Sequence, residues 1–121
     1  IKLITIITLF HKYLEKFDYI AMDFKTLYYE KYLKCSEKNI LESLNVLKNG
    51  KTHYEIRITM YPSYINEEDF VEIAETLKGV KKVFIQQYKV VEGASERVYA
   101  RDVLEKFKKI LELKGISGEI R

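Results

Sequence analysis

The sequence predicts an α/β protein of about four parallel β/α units, arranged as a partial (βα) barrel. Short β-branched runs alternate with amphipathic runs at helical spacing, and Gly, Pro or capping residues stand between them. The stretches between strands are long enough for the crossovers that parallel strands need. Four such units are half of an eight-fold barrel, and an open sheet of this size has two unpaired edges.

The first part of the chain predicts two strands and two helices. Residues 1–8 are mostly β-branched and predict a strand, residues 9–17 have helical spacing, and residues 18–25 return to strand character. Ser36 is a suitable N-cap for a second helix, which we expect to end before Gly50. Its predicted apolar face consists of Ile40, Leu41, Leu44 and Leu47.

The middle of the chain predicts a strand and a helix. Residues 54–60 alternate between apolar and polar positions, and Pro62 stops the strand. Asn66 is expected to cap the next helix, with Ile65 packed against Phe70 across the cap. The predicted buried stripe of this helix, which Gly79 ends, is Phe70, Ile73, Ala74 and Leu77.

The last part of the chain predicts one more unit. Residues 82–89 predict a strand and residues 100–114 a helix that Gly115 terminates, which leaves residues 116–121 as a tail or an edge strand. The apolar face of this helix is Val103, Leu104, Phe107, Ile110 and Leu111.

The composition fits one domain spanning residues 1–121. A chain of 121 residues that is 47% hydrophobic is long enough for one core and too short for two ordinary domains. Its 21 Lys and Arg against 18 Asp and Glu give a net charge of +3, with the signs interspersed. This balance is not typical of nucleic-acid-binding proteins, so we expect no nucleic-acid partner.

Targeting signals are weak in this sequence. No apolar run reaches the roughly 18 residues that span a bilayer, and the hydrophobic residues 1–10 lack a signal-peptide cleavage site. A single cysteine, Cys35, excludes an intramolecular disulfide. We therefore expect a cytoplasmic protein without a membrane partner. The start at Ile1, without methionine, suggests that an upstream part is missing.

Polar and charged residues cluster where three predicted strands end. Asp23 and Lys25 close one strand, Arg57 lies in the next, and Gln87 and Lys89 close the third. Ligands bind at the carboxyl ends of parallel strands, so we expect these side chains at one mouth. An ion pair of Asp23 with Lys25 or Arg57 explains the charges at least as well, because buried charges need partners.

Strand alternation assigns a direction to these side chains. We expect Ile20, Met22 and Phe24 to face the helices. Asp23 and Lys25 then face the interior of the barrel. By the same alternation, the inward residues of the next two strands are Glu55, Arg57 and Thr59, and then Ile85, Gln87 and Lys89.

Five short segments carry a resemblance to a known family. They are DYIAMDFK (18–25), VLK (46–48), YEIRIT (54–59) followed by Pro62, NEED (66–69) and FIQQY (84–88). In this order they resemble the radical S-adenosylmethionine (SAM) activating enzymes, such as the activators of pyruvate formate-lyase and of the anaerobic ribonucleotide reductase. The resemblance runs over nearly the whole chain and corresponds to the C-terminal half of the family's barrel.

The resemblance implies a partial (βα)6 barrel with a [4Fe–4S] cluster on a CxxxCxxC loop. In the family, the cluster cleaves SAM to a radical that abstracts hydrogen from a glycine of a partner enzyme. Asp23 and Lys25 match the family's MDIK strand end, where polar groups help to hold SAM. Arg57 matches the arginine of its RxTxxP strand, and Gln87 and Lys89 fall near the nucleoside side.

The departures from the family are as informative as the match. The third strand of the family usually has an acidic residue and then Thr-Asn-Gly, but here Ile4, Ile6 and Ile7 stand in its place, and Ser63 replaces the glycine after the proline. The CxxxCxxC loop is absent, as are the first two β/α units. We therefore expect no catalysis by this chain alone, and a [4Fe–4S] cluster only if a missing N-terminal half supplies it.

Other candidate residues have simpler explanations. Cys35 lacks a neighbouring base in the sequence, and His11 and His53 lack metal-ligand spacing, so we expect no metal site. The ten tyrosines are better explained by packing than by stacking on RNA. A loop or short helix over the mouth is predicted for the segment of Tyr28, Tyr29 and Tyr32.

Three functional hypotheses follow. The first is a truncated radical SAM activase-like protein that acts only within a larger assembly, with a glycyl-radical enzyme as its partner. The second is a non-enzymatic assembly module that forms a homo-oligomer, most simply a dimer, through its open half-barrel. The third is a site for a carboxylate or phosphate ligand at Lys25 and Arg57, without radical chemistry.

Overall fold

The computed structural model describes residues 2–5, by their backbone, and residues 19–33, 36–90 and 97–121. Within these ranges the strands are β1 (Lys2–Thr5), β2 (Tyr19–Asp23), β3 (His53–Thr59), β4 (Lys82–Gln86) and β5 (Ser117–Ile120). The α-helices are α1 (Tyr29–Tyr32), α2 (Glu37–Asn49), α3 (Phe70–Thr76) and α4 (Arg101–Leu113), and a 3-10 turn (Glu67–Asp69) precedes α3.

The sheet is parallel throughout, and its strand order is β1-β2-β3-β4-β5. Each strand pairs with its neighbours in the sequence, as the strands of a β/α barrel do. Asp23 lies opposite Arg57 in the β2–β3 pair, and Thr59 lies opposite Gln86 in the β3–β4 pair. The predicted α/β class with parallel β/α units is confirmed, and the segment predicted as a tail or edge strand contains β5.

Helices α2, α3 and α4 bury their apolar faces against one face of the sheet. The strand residues in this core are Ile20, Met22, Ile56, Ile58, Val83 and Ile85. The helix residues are Ile40, Leu44, Leu47, Phe70, Ile73, Ala74, Leu104, Phe107 and Leu111. Full burial of an aliphatic or phenylalanine side chain contributes about 1.5–3 kcal/mol, so this layer is the main source of stability.

The helix ends follow the capping signals of the sequence. The Oγ of Ser36 accepts a hydrogen bond from the backbone N–H of Asn39 at 3.4 Å, and Gly50 follows the last residue of α2. Gly115, after α4, has φ of +80°, a left-handed conformation that glycine adopts without strain.

Two local predictions are wrong, and one lies outside the described residues. The side chain of Asn66 does not cap α3, because the 3-10 turn comes first and its Nδ2 donates instead to Oδ2 of Asp69 at 3.4 Å. Leu41 is 50% exposed, since α2 turns its other apolar residues to the sheet. The helix predicted at residues 9–17 lies outside the described residues. No helix in the described ranges is long and apolar enough to cross a membrane.

The aromatic contact between α3 and α4 offers a test of the core. Phe107 is fully buried, and its ring centroid lies 4.7 Å from that of Phe70. We expect Phe107→Ala to lower the free energy of unfolding by about 3–5 kcal/mol, because the lost ring leaves a cavity. Leu113→Ala is the control on the same helix. Leu113 is 83% exposed, so its loss should cost less than about 0.5 kcal/mol. Urea denaturation measures both, and similar losses would contradict the packing of α4.

Candidate functional site

A pocket of about 230 Å³ opens where β2, β3 and β4 end. Two backbone hydrogen bonds hold the strand ends side by side: Phe24 N–H donates to Arg57 O at 2.8 Å, and Met60 N–H donates to Gln86 O at 2.8 Å. The residues that line the pocket are Asp23, Phe24, Lys25, Thr59, Tyr61, Tyr64 and Tyr88. This is the edge of a parallel sheet at which ligands bind.

Asp23 and Arg57 form an ion pair at the rim of this pocket. The Nη2 atom of Arg57 lies 2.9 Å from Oδ1 of Asp23, and its Nε donates to the same oxygen at 3.0 Å. The Arg57 side chain is 16% exposed and the Asp23 side chain 35% exposed. The structure thus brings together two of the predicted site residues, in the ion pair that the sequence also suggested. Lys25 lies in the same pocket lining.

The predicted direction of the β4 side chains is wrong. Ile85 was expected to face the barrel interior, but it is fully buried in the core beneath the helices. The register instead pairs Phe84 with Arg57 and Gln86 with Thr59, so Phe84 and Gln86 share the face of the pocket residues. The run Val83-Phe84-Ile85 is apolar on both faces of the sheet. Alternation therefore does not indicate which of these residues face the helices.

Gln87 and Lys89 follow β4 and do not line the pocket described above. The Gln87 Nε2 donates to Tyr99 O at 2.6 Å, and its Oε1 accepts from the backbone N–H of Tyr88 at 2.9 Å. Gln87 thereby fixes the backbone on which Tyr88 reaches the pocket. Lys89 is exposed. Their roles as cofactor-binding residues stay predictions.

Three pocket tyrosines were not among the predicted site residues. Tyr61 and Tyr64 follow β3, and Tyr88 follows β4. The Tyr61 ring centroid lies 4.8 Å from that of Tyr64 and 4.7 Å from that of Tyr88. The signal was present in the sequence, because a tyrosine stands just beyond the predicted end of one strand and inside the predicted end of the other. Tyr28, Tyr29 and Tyr32 do lie at a short helix, as the sequence predicts.

A buried carboxylate lies lower on the same face of the sheet. Glu55 is 5% exposed, and the Tyr19 hydroxyl donates to its Oε1. Its Oε2 lies 3.5 Å from Nη1 of Arg121, close enough for an ion pair but without the geometry of a hydrogen bond. The Arg121 guanidinium carbon lies 3.5 Å from the centre of the Phe84 ring, a cation–π contact. The face away from the helices therefore carries paired charges beside the apolar Phe84.

The described residues contain no group of three or more His, Cys, Asp and Glu side chains that could hold a metal ion. His53 is exposed at the start of β3. Cys35 and His11 lie outside the described ranges. The absence of a metal site in this chain stays a prediction.

Similarity to known proteins was found at two levels. No family model matches the sequence. A candidate glycyl-radical enzyme activating enzyme of Methanocaldococcus jannaschii is 33% identical over an alignment that covers 65% of this chain and 36% of the relative. The predicted resemblance to the radical SAM activating enzymes is confirmed. The matched part spans about a third of the relative's length.

A solved structure supports the fold of this activating-enzyme-like chain. The crystal structure of a domain of pyruvate-formate lyase-activating enzyme from Bacteroides vulgatus superimposes with a TM-score of 0.74. The superposition covers 91% of this chain and 71% of that domain, at 15% sequence identity. At that identity the likeness shows the fold alone. The predicted α/β partial barrel is confirmed.

The contact between Tyr19 and Glu55 makes a testable pH dependence. Burial, and next the hydrogen bond to Glu55, raise the pKa of Tyr19 from 10.0 to about 12. A phenol with a raised folded pKa contributes stability that is fully present below pH 10 and is lost as pH rises from 10 to about 12.

We therefore expect the unfolding free energy of Tyr19→Phe to fall less steeply than that of the unchanged protein between pH 10 and about 12. Urea denaturation across this range measures the slopes. Glu55→Gln is the companion variant, in which the phenolate absorbance of Tyr19 should appear at lower pH. Equal slopes for Tyr19→Phe and the unchanged protein would rule out the shift.

Proposed function

We propose that this chain contributes the C-terminal part of a radical SAM activating-enzyme barrel and that its pocket forms one side of the SAM site. The observation that carries the proposal is the position of Asp23 and Lys25. They close the MDFK segment that resembles the family's SAM-holding strand end, and both line the pocket. The relative's name assigns activation of a glycyl-radical enzyme to that protein.

The chemistry of the pocket suits the parts of SAM. The Lys25 ammonium can pair with a carboxylate, and the Asp23 carboxylate can accept hydrogen bonds from hydroxyl groups of a ribose. The rings of Tyr61, Tyr64 and Tyr88 offer faces on which an adenine can stack. Arg57 acts as a positioning residue, because its bonds to Oδ1 hold the Asp23 carboxylate at the rim.

The size of the pocket supports a partial site. Its volume is about 230 Å³, whereas pockets that enclose a ligand of this size usually measure about 300–1,000 Å³. A ligand held here would leave part of its surface for another wall. In this proposal a segment outside these 121 residues provides that wall.

The iron–sulfur cluster of the family does not fit this chain. A CxxxCxxC loop supplies three thiolate ligands, and the sequence contains one cysteine. The described residues also offer no cluster of substitute ligands. The proposal therefore assigns to this chain the holding and orienting of SAM, and no catalysis by itself. A reducing, cytoplasmic setting suits a lone thiol and a partner with an exposed cluster loop.

Calorimetric titration of SAM into the anaerobically prepared chain tests the proposal. We expect micromolar binding, weakened about tenfold in Lys25→Met, because a hydrogen bond to a charged group contributes about 1.5–3 kcal/mol. Lys78→Met is the matched control. Lys78 is exposed beyond α3 and away from the pocket lining, so its loss should leave the affinity unchanged. Absence of binding, or equal weakening by both substitutions, would reject the site.

Assembly is a second candidate function, supported by the open sheet. In the described sheet β1 pairs only with β2 and β5 only with β4, so both edges of a parallel sheet are available for pairing. In the described part of the chain, helices α2, α3 and α4 all pack on the same face of the sheet. We propose that a complementing barrel segment or a second copy of the chain pairs with one of these edges. Pairing with a second copy would form a homodimer.

Sedimentation velocity over a range of protein concentrations tests the homodimer. We expect a sedimentation coefficient that rises with concentration to the value of a dimer, because unpaired edges associate by mass action. A monomer at all concentrations would contradict the homodimer. It would leave the complementing segment as the assembly partner, and co-expression with the N-terminal part of a relative would then test that partner.

A further inference from the structure

Five tyrosine rings form a continuous row across the mouth of the half-barrel. From Tyr88 the centroid distances are 4.7 Å to Tyr61 and then 4.8 Å to Tyr64. The row continues for 5.2 Å to Tyr32 and for 6.3 Å to Tyr28. The rings come from three places in the chain, namely the loops after β3 and β4 and the α1 segment.

The two ends of the row have different surroundings. Tyr88, Tyr61 and Tyr64 line the pocket at the strand ends. At the other end the Tyr28 hydroxyl donates a hydrogen bond of 2.9 Å to Oδ1 of Asp69. This bond, with burial as a smaller cause, raises the pKa of Tyr28 to about 12. The Asp69 carboxylate can therefore accept the Tyr28 proton at the end of the row farthest from Tyr88.

Such an arrangement has the two elements that oxidation of a tyrosine needs. Electrons move rapidly between aromatic rings in van der Waals contact, and a phenol is oxidised more easily when its proton passes to a hydrogen-bonded base. The other tyrosines whose hydroxyl hydrogen bonds are described lie outside the row, and they include Tyr19, which donates to Glu55. Tyr29 hydrogen-bonds the backbone of Asp23 and Lys25, and Tyr99 hydrogen-bonds Ile65 O.

We propose that the tyrosine row, defined as Tyr88, Tyr61, Tyr64, Tyr32 and Tyr28, carries one oxidising equivalent from the pocket to Tyr28. The oxidant is a one-electron acceptor held in the pocket, and it is reduced by the electron that leaves the row at Tyr88 or Tyr61. That electron is replaced ring by ring from Tyr28. The Tyr28 phenolic proton moves to Oδ1 of Asp69, which leaves a neutral tyrosyl radical beside a protonated carboxyl group.

The consequence is that the oxidised site can move from the pocket to Tyr28. An oxidant that forms in the pocket without its proper substrate would otherwise attack the lining residues. The row moves the oxidised site to Tyr28, where a thiol can return a hydrogen atom and become a thiyl radical while Asp69 releases its proton to water. This inference does not depend on SAM as the ligand.

A photo-oxidant placed in the pocket tests the row. Lys25→Cys in a Cys35→Ser background carries one ruthenium polypyridyl complex, which a flash with an added electron acceptor converts to ruthenium(III). Ruthenium(III) then accepts the electron from the row. We expect a tyrosyl radical in electron paramagnetic resonance spectra, and a spin-trap adduct that peptide mass spectrometry locates at Tyr28.

Conservative variants separate electron transfer from packing. Tyr64→Phe and Tyr32→Phe each keep a ring in place but make it hard to oxidise, so each should remove most of the adduct at Tyr28. Asp69→Asn should shorten the lifetime of the Tyr28 radical, because the proton acceptor is lost. Tyr54→Phe, a half-buried tyrosine outside the row, is the control and should change neither.

Two outcomes would overturn the proposal. One is an undiminished Tyr28 adduct in both Tyr64→Phe and Tyr32→Phe, which would mean that the oxidant reaches Tyr28 through solvent. The other is an adduct confined to Tyr61 or Tyr88 in the labelled protein, which would leave the rings as packing alone. Circular dichroism on each variant confirms that the compared proteins are folded.

Discussion

The parallel register of β2, β3 and β4 is the constraint on which both the core and the pocket depend. Asp23 lies opposite Arg57, and Arg57 lies opposite Phe84, so these three residues share the face away from the helices. The residues between them in each strand face the helices. A slip of one residue would move Asp23 and Arg57 into the helix-side layer and Ile56 out of it. Burial of the isoleucines thus fixes the position of the charged residues, and the cost of exposing the core protects the geometry of the site.

The face of the sheet away from the helices differs from the interior of a closed (βα)8 barrel. Such an interior is filled by layers of branched apolar side chains, whereas here Glu55, Asp23 and Arg57 occupy it. Each of these charges has a partner, and the buried Glu55 is held by Tyr19 and Arg121. An uncompensated carboxylate at that depth would be costly. The paired charges allow the face to remain polar without unfolding the sheet, which suits a surface that meets a polar ligand or another polypeptide segment.

The sequence predicted burial best in strands and helices that have only one apolar face. In β3, Ile56 and Ile58 alternate with polar residues, so their burial and the position of Arg57 followed directly. The stripe of α3 and the cap at Ser36 were equally clear. In β4 alternation failed because Phe84, on the face away from the helices, is as apolar as its neighbours. Its burial depends on Arg121, which is 37 positions later in the chain and lies over its ring.

The site was predicted in part for a similar reason. Asp23, Lys25 and Arg57 stand inside or at the ends of strands, where the register can be inferred. Tyr61, Tyr64 and Tyr88 stand beyond the ends of β3 and β4 as the structure has them. Their position depends on turns and on contacts such as the bonds of Gln87 to Tyr99 and Tyr88. No periodicity relates these loops, so neither the aromatic wall of the pocket nor its continuity with Tyr28 can be read from spacing.

The two roles proposed for the pocket wall both depend on how its side chains are held. Asp23 is already fixed by Arg57 before any ligand enters, so binding avoids the cost of ordering that side chain, which is about 0.5–1.5 kcal/mol. The tyrosines are fixed by each other, edge to face or tilted, with centroid distances that aromatic pairs favour. A wall of oxidisable rings in mutual contact cannot be electronically isolated from a radical formed against it. The proposed binding of SAM and the proposed electron transfer along the tyrosine row would therefore depend on one arrangement of side chains.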